Sequence, residues 1–201
     1  VEIPEAVEID TFSLKNFFMK LFELESTKKG SVRVAYFGDS MIESDLIVQD
    51  IRKNYQGTYG GRGVGFVPVT TNIASSSITI RHEFSPNWQT YSLLAKSPKT
   101  VGISGYVSIP ADSTECWVKY RAGSLPLVNA TLYYGKANND NASISVTVNS
   151  NKPKSIQLEP DNTVNSTYLA SYANILTINF AAADSIPFYG VDFAEKNGVY
   201  V

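Results

Sequence analysis

After about residue 76 the chain alternates apolar and polar residues at period two, and nothing else in the sequence restricts the fold as strongly. Ile78, Ile80, His82 and Phe84 share one face of an extended segment, and Val101, Ile103, Gly105, Val107 and Ile109 share one face of the next. Cys116, Val118 and Tyr120 follow, then Leu132 and Tyr134, then Ile144, Val146 and Val148. Ile156 with Leu158, and Leu176, Ile178 and Phe180, complete the series. Successive side chains of a strand point to opposite faces, so each set is buried together only if its segment is extended. Clusters of Pro, Gly, Asn and Asp separate the segments. Short strands at this spacing predict an antiparallel β-sandwich or jelly roll over residues 77–187.

Residues 1–76 follow another pattern. Ser13 is a candidate N-cap, and Leu14, Phe17, Phe18, Leu21 and Phe22 recur at helical spacing. Thr27-Lys28-Lys29-Gly30 ends that helix, with Gly30 suited to a left-handed C-terminal position. Val32 to Phe37 is a short apolar run of β-branched and aromatic residues, which predicts a buried strand. After Gly38-Asp39-Ser40 a second amphipathic helix is expected, with Ile42, Leu46, Ile47 and Ile51 on one side and an end by Gly57. Helix, strand, tight turn, helix is the opening of an α/β unit. The expected architecture is therefore α/β plus all-β: a partial α/β unit over 1–76, a sandwich over 77–187, and a return segment over 188–201.

Composition narrows the partners. The net charge is −2, and the lysines and arginines are scattered, which argues against a nucleic-acid surface. The one cysteine, Cys116, permits no internal disulfide and no paired-thiolate zinc site. Its place in an alternating segment predicts a buried structural thiol. No apolar run approaches the roughly 18 residues that a spanning helix needs, and no cofactor is expected. Position 1 is Val and not Met, which predicts a processed or trimmed chain.

Phe37-Gly38-Asp39-Ser40 is the strongest local signal for chemistry. A serine at the carboxyl end of a strand stands where open α/β sheets place their ligands. Its backbone N–H, at the start of a helix, points at developing negative charge. Gly38 permits a tight turn, and Asp39 can hold it by accepting backbone hydrogen bonds. The tripeptide by itself more often marks an N-cap serine in an ordinary strand-to-helix turn.

The longer context narrows that choice. Val34-Ala35-Tyr36-Phe37-Gly38-Asp39-Ser40-Met41-Ile42-Glu43-Ser44-Asp45, continuing through Leu46-Ile47 and the later Gly60-Gly61-Arg62-Gly63-Val64-Gly65-Phe66-Val67-Pro68, resembles the first sequence block of SGNH (GDSL-type) serine hydrolases. More narrowly, it is similar to the bacterial subgroup whose hydrolase domain is split by an inserted β-sandwich, as in peptidoglycan O-acetylesterases. The resemblance covers residues 14–70. It implies that Ser40 is the nucleophile and donates its N–H to the oxyanion, and that Asp39 supports the turn. It implies an esterase acting on carbohydrate-linked acyl (acetyl) esters, with an acylated glycan or small ester as substrate and a secreted or periplasmic location.

One departure matters. The family also uses a glycine and an asparagine from later blocks and an Asp-x-x-His, and no Asp-x-x-His occurs here. The single histidine, His82, reads as a sandwich residue. The missing part is expected beyond Val201, and the 201 residues by themselves are expected to be inactive. The alternative is a non-catalytic carbohydrate-binding β-sandwich module.

The glycine run at 60–65 lacks the Gly-Lys-Ser/Thr ending of a phosphate loop and follows a helix, so a flexible loop bordering the active cleft is expected. Arg62 is its candidate contact for an anionic part of the substrate. Glu43, Asp45 and Asp50 read as solvated carboxylates on the second helix. Among the aromatic residues Trp88, Tyr91, Trp117, Tyr120, Tyr133 and Tyr134, the alternation places Tyr120 and Tyr134 in the core. Trp117 and Tyr133 fall on the opposite face and are the candidates for a ligand surface.

Overall fold

The computed structural model describes residues 14–38, 45–71, 79–95, 99–111, 115–139 and 141–201. Helix α1 spans Lys15–Thr27 and ends where Lys28 turns left-handed (φ 55°) and donates its N–H to Leu24 O. Its inward stripe is Phe17, Leu21 and Leu24, which pack with Val32 and Val199. Phe18 and Phe22, expected on the buried face, point outward at 54% and 71% exposure. Strand β1 is only Ser31–Arg33, paired parallel with β13 (Gly198–Tyr200). Helix α2 spans Val48–Tyr59, so Gly57 lies within it and Gly60 ends it. Leu46 and Ile47 precede α2 and are exposed.

The remaining strands form two sheets. In the larger, β10 (Asn165–Ala173), β7 (Leu127–Tyr134), β12 (Phe188–Phe193), β5 (Tyr106–Pro110) and β4 (Trp88–Ser92) lie in that order, and β2 (Gly65–Pro68) pairs with β12. The other runs β3 (Ile80–Phe84), β6 (Trp117–Ala122), β11 (Ile175–Ala182), β8 (Ser143–Val148) and β9 (Lys154–Gln157). All pairings within both sheets are antiparallel.

The α/β part of the expected fold class is overturned. Among the described residues there are thirteen strands and two helices, and β1–β13 is the one parallel pairing. An α/β sheet needs several parallel strands covered by crossover helices. Here the Val32–Phe37 run pairs only as far as Arg33, with one further bond from Val34 N–H to Tyr200 O (2.8 Å), and Tyr36 and Phe37 are exposed. The molecule is predominantly antiparallel β.

The sandwich follows the alternation. Cys116, Val118, Tyr120, Leu132, Leu176, Ile178 and Phe180 are fully buried, and Tyr134, Ile144 and Val146 nearly so. Rings from the two sheets interlock across the core: Phe180 meets Phe188 edge-on at 4.6 Å, and Tyr120 meets Phe193 at 5.1 Å. The Cys116 thiol donates to Asn87 O at 2.8 Å. One segment departs from the pattern. A turn in which Gly105 N–H bonds Gly102 O delays β5 until Tyr106, which leaves Ile103 90% exposed. No helix among the described residues is long and apolar enough to cross a membrane.

Candidate active site

Ser40 and Asp39 lie outside the described residues, as do the N-cap candidate Ser13, Ile42, Glu43 and Ile78. The frame on either side of that serine is described. On the entry side, β1 runs beside β13 with Val32 opposite Val199 and Arg33 opposite Tyr200. Gly38 and the aromatic side chains before it are exposed.

On the exit side, Asp45 adopts a left-handed conformation (φ 69°) that few non-glycine residues take. Its carboxylate is not solvated as expected. Arg52 Nη1 donates to Asp45 Oδ2 at 2.7 Å and Nη2 to Oδ1 at 2.8 Å, a bidentate fork. Thr79 Oγ1 donates to Oδ2 at 2.8 Å. Arg52 is 4% exposed, and its Nη2 and Nε also donate to Val201 O at 3.2 and 3.4 Å. Asp45 precedes α2 and reaches back to Arg52 on that helix through its left-handed backbone.

The outer face of β1 and β13 is polar. The Arg33 guanidinium lies 6.0 Å from the Tyr200 ring centroid. Burial raises the Asp192 carboxyl above its ordinary range, against the pull of Arg33. Burial also raises the Tyr200 hydroxyl, helped by the negative charge of Asp192. Arg62 is largely solvated, 3.7 Å from Glu195. The glycines beside it serve close packing. A Cβ on Gly61 would come within 2.9 Å of Val199 N, and one on Gly63 would fall on Phe193 O. Gln56 Nε2 donates to Gly63 O and Val199 O, both at 3.2 Å, which ties this stretch to α2 and β13.

His82 is a core residue. It is 8% exposed and stacks on Tyr120 at 4.7 Å. Its Nε2 is 2.8 Å from Val69 O, and because a carbonyl only accepts, Nε2 carries the proton. Desolvation lowers its pKa to about 4. It is neutral near pH 7 and directed at the backbone. Among the described residues no group of three or more His, Cys, Asp or Glu side chains is placed to hold a metal ion.

Trp117 and Tyr133, the two ligand-surface candidates, occupy opposite outer faces of the sandwich. Trp117 starts β6 in the five-stranded sheet, and Tyr133 lies on β7 in the other. The Tyr133 ring is 6.0 Å from Phe66 on β2, and Gly190 leaves the room that the Phe66 ring occupies. Tyr168, 55% exposed, pairs with Thr131 on the same sheet. Trp88 packs edge-on to Phe180 at 5.0 Å and belongs to the core.

No family model matches this sequence, and no curated protein matches it. Among solved structures, a peptidoglycan O-acetylesterase aligns over 93% of this chain with a TM-score of 0.67 and 17% identity. The two share a fold. The chain spans 50% of the esterase's length. Two weaker likenesses are CpGH89CBM32-6 produced by Clostridium perfringens and an exo-β-1,3-galactanase from Phanerochaete chrysosporium. The first has a TM-score of 0.33 and 14% identity over 56% of this chain and 96% of that one. The second has 0.28 and 13% over 62% and 31%.

Proposed function

We propose that the full-length protein is a serine esterase of the SGNH type that removes acyl groups, acetyl above all, from a carbohydrate. The observation that carries the reading is the 0.67 TM-score alignment with a peptidoglycan O-acetylesterase over 93% of the chain. Gly38-Asp39-Ser40 falls between β1 and α2 in this chain.

In this reading the Ser40 hydroxyl loses its proton to a base as Oγ attacks the ester carbonyl carbon. The Ser40 N–H stabilises the resulting oxyanion, and collapse of the tetrahedral intermediate expels the sugar alcohol. Water then hydrolyses the acyl-enzyme. Asp39 holds the turn. The base is not His82, whose proton is committed to Val69 O. It is contributed by a part of the full-length protein outside residues 1–201, without which these 201 residues do not turn over.

Residues 77–187 act as a glycan-presenting module. Tyr133, with Phe66 and Tyr168 on the same sheet, offers flat rings to sugar faces, and Arg62 meets an anionic group on the polymer. Trp117 serves a separate contact on the other face. An acylated cell-wall glycan as substrate places the protein outside the cytoplasm.

A fluorophosphonate probe applied to the full-length protein tests the reading. Covalent labelling that disappears in Ser40→Ala is the expected result. An unlabelled protein that still binds glycan would instead be a carbohydrate-binding module, and the esterase reading would fall.

A further inference from the structure

We propose that Asp45 and Arg52 form a positioning unit that holds the Ser40 turn from its exit side; this rests on the esterase reading above. The two ends of the stretch from Val34 to Asp45 are anchored on consecutive carbonyls at the end of β13. Val34 N–H bonds Tyr200 O at 2.8 Å, and Arg52, which grips Asp45, bonds Val201 O at 3.2 Å. The described residues on either side of Ser40 are thus tied to one strand terminus.

Each group at the exit is over-determined. Both Asp45 carboxylate oxygens accept from Arg52, and Oδ2 accepts also from Thr79. Three donors from two residues hold the carboxylate, which suits it to hold position. The left-handed backbone at Asp45 has an intrinsic cost that persists only where its surroundings enforce it. The fork supplies that enforcement. Asp45 follows Ser40 by five positions, so a shift at Asp45 is transmitted through at most about 17 Å of extended chain. A buried ion pair is a weak source of stability compared with an apolar pair of similar volume. What it adds here is a fixed geometry, since the guanidinium fork accepts the carboxylate in one plane. Thr79 precedes β3, so the same node joins the loop exit to the sandwich.

Asp45→Asn and Arg52→Lys in the full-length protein test this. Arg52→Lys retains the charge and loses the fork. Arg121→Lys, in an exposed ion pair with Glu83, is the control. With p-nitrophenyl acetate as probe, kcat falls about 100-fold in both variants, KM stays within about twofold, and Arg52→Lys gives no rescue. Hydrogen exchange of amides 35–47 accelerates at least about tenfold, while β6 and β11 keep their protection. Retained kcat in a folded Asp45→Asn protein overturns the proposal, as does a kcat loss that tracks loss of β6 and β11 protection. If the wild-type protein does not hydrolyse the ester, the esterase reading fails. The exchange experiment then decides the anchoring alone: acceleration confined to 35–47 supports it, and unchanged exchange refutes it.

Discussion

The sandwich and the small α1–β1–α2–β13 region bury their apolar residues in different ways. In the sandwich, aromatic rings from both sheets meet edge-on, and large side chains from Tyr120 to Phe193 are fully enclosed. In the small region the enclosed set is Leu21, Leu24, Val32 and Val199. Around it Phe18, Met19, Phe22 and Phe37 stand 54–88% exposed. The small region has a smaller apolar set and adds polar ties to it: the Asp45–Arg52 fork, Gln56 on two carbonyls, and the Val199 N–H on Gly60 O. A region held this way can place a reactive segment accurately while contributing little to global stability.

The comparison is most exposed to substitution in the larger core. Phe180→Ala should destabilise the whole molecule by about 3–5 kcal/mol, measured by denaturant unfolding. His82 gives the next effect. Its pKa falls from 6.5 unfolded to about 4 folded, so the stability it carries is complete above pH 6.5 and is lost as pH drops towards 4. The loss is at most about 3 kcal/mol, and a His82→Gln protein should show a flatter pH profile over that window. A wild-type profile just as flat would remove His82 from the core account. Leu24→Ala should cost about 2 kcal/mol, read as faster exchange in α1, β1 and β13, with β7 and β11 protected as before. Equal loss in the sandwich strands would merge the two regions into one cooperative unit. Phe22→Ala, at 71% exposure, should change stability by no more than about 0.5 kcal/mol. A larger cost would mean that α1 buries a second face.

The same contrast explains what could be read from the sequence. In the sandwich one signal, period two, specifies both the extended backbone and the buried face, so Val118, Tyr120, Ile178 and Phe180 were identifiable as core. In α1 the helical spacing was legible but its inward face was not. Phe18 and Phe22 are as apolar as Phe17 and Leu21, and nothing local distinguishes the stripe that meets Val199. The α/β expectation failed because Val34 to Phe37 has strand composition, whereas strand formation needs a partner, and among the described residues the pairing of β1 with β13 runs only from Ser31 to Arg33. Asp45 was misread as solvated because its partners, Arg52, Thr79 and Arg52's anchor Val201, converge only in three dimensions. Tyr133 and Trp117 shared a facing pattern, but alternation assigns a side of a strand and not a sheet, and the two lie on different sheets.

Acetate release from an O-acetylated polymeric glycan by the full-length protein bears most directly on the proposed activity. The expected result is acetate production that Ser40→Ala abolishes and that Tyr133→Ala reduces on polymer while sparing a small acetate ester. Acetate release at the wild-type rate in Ser40→Ala, or none from the wild-type protein, would contradict it.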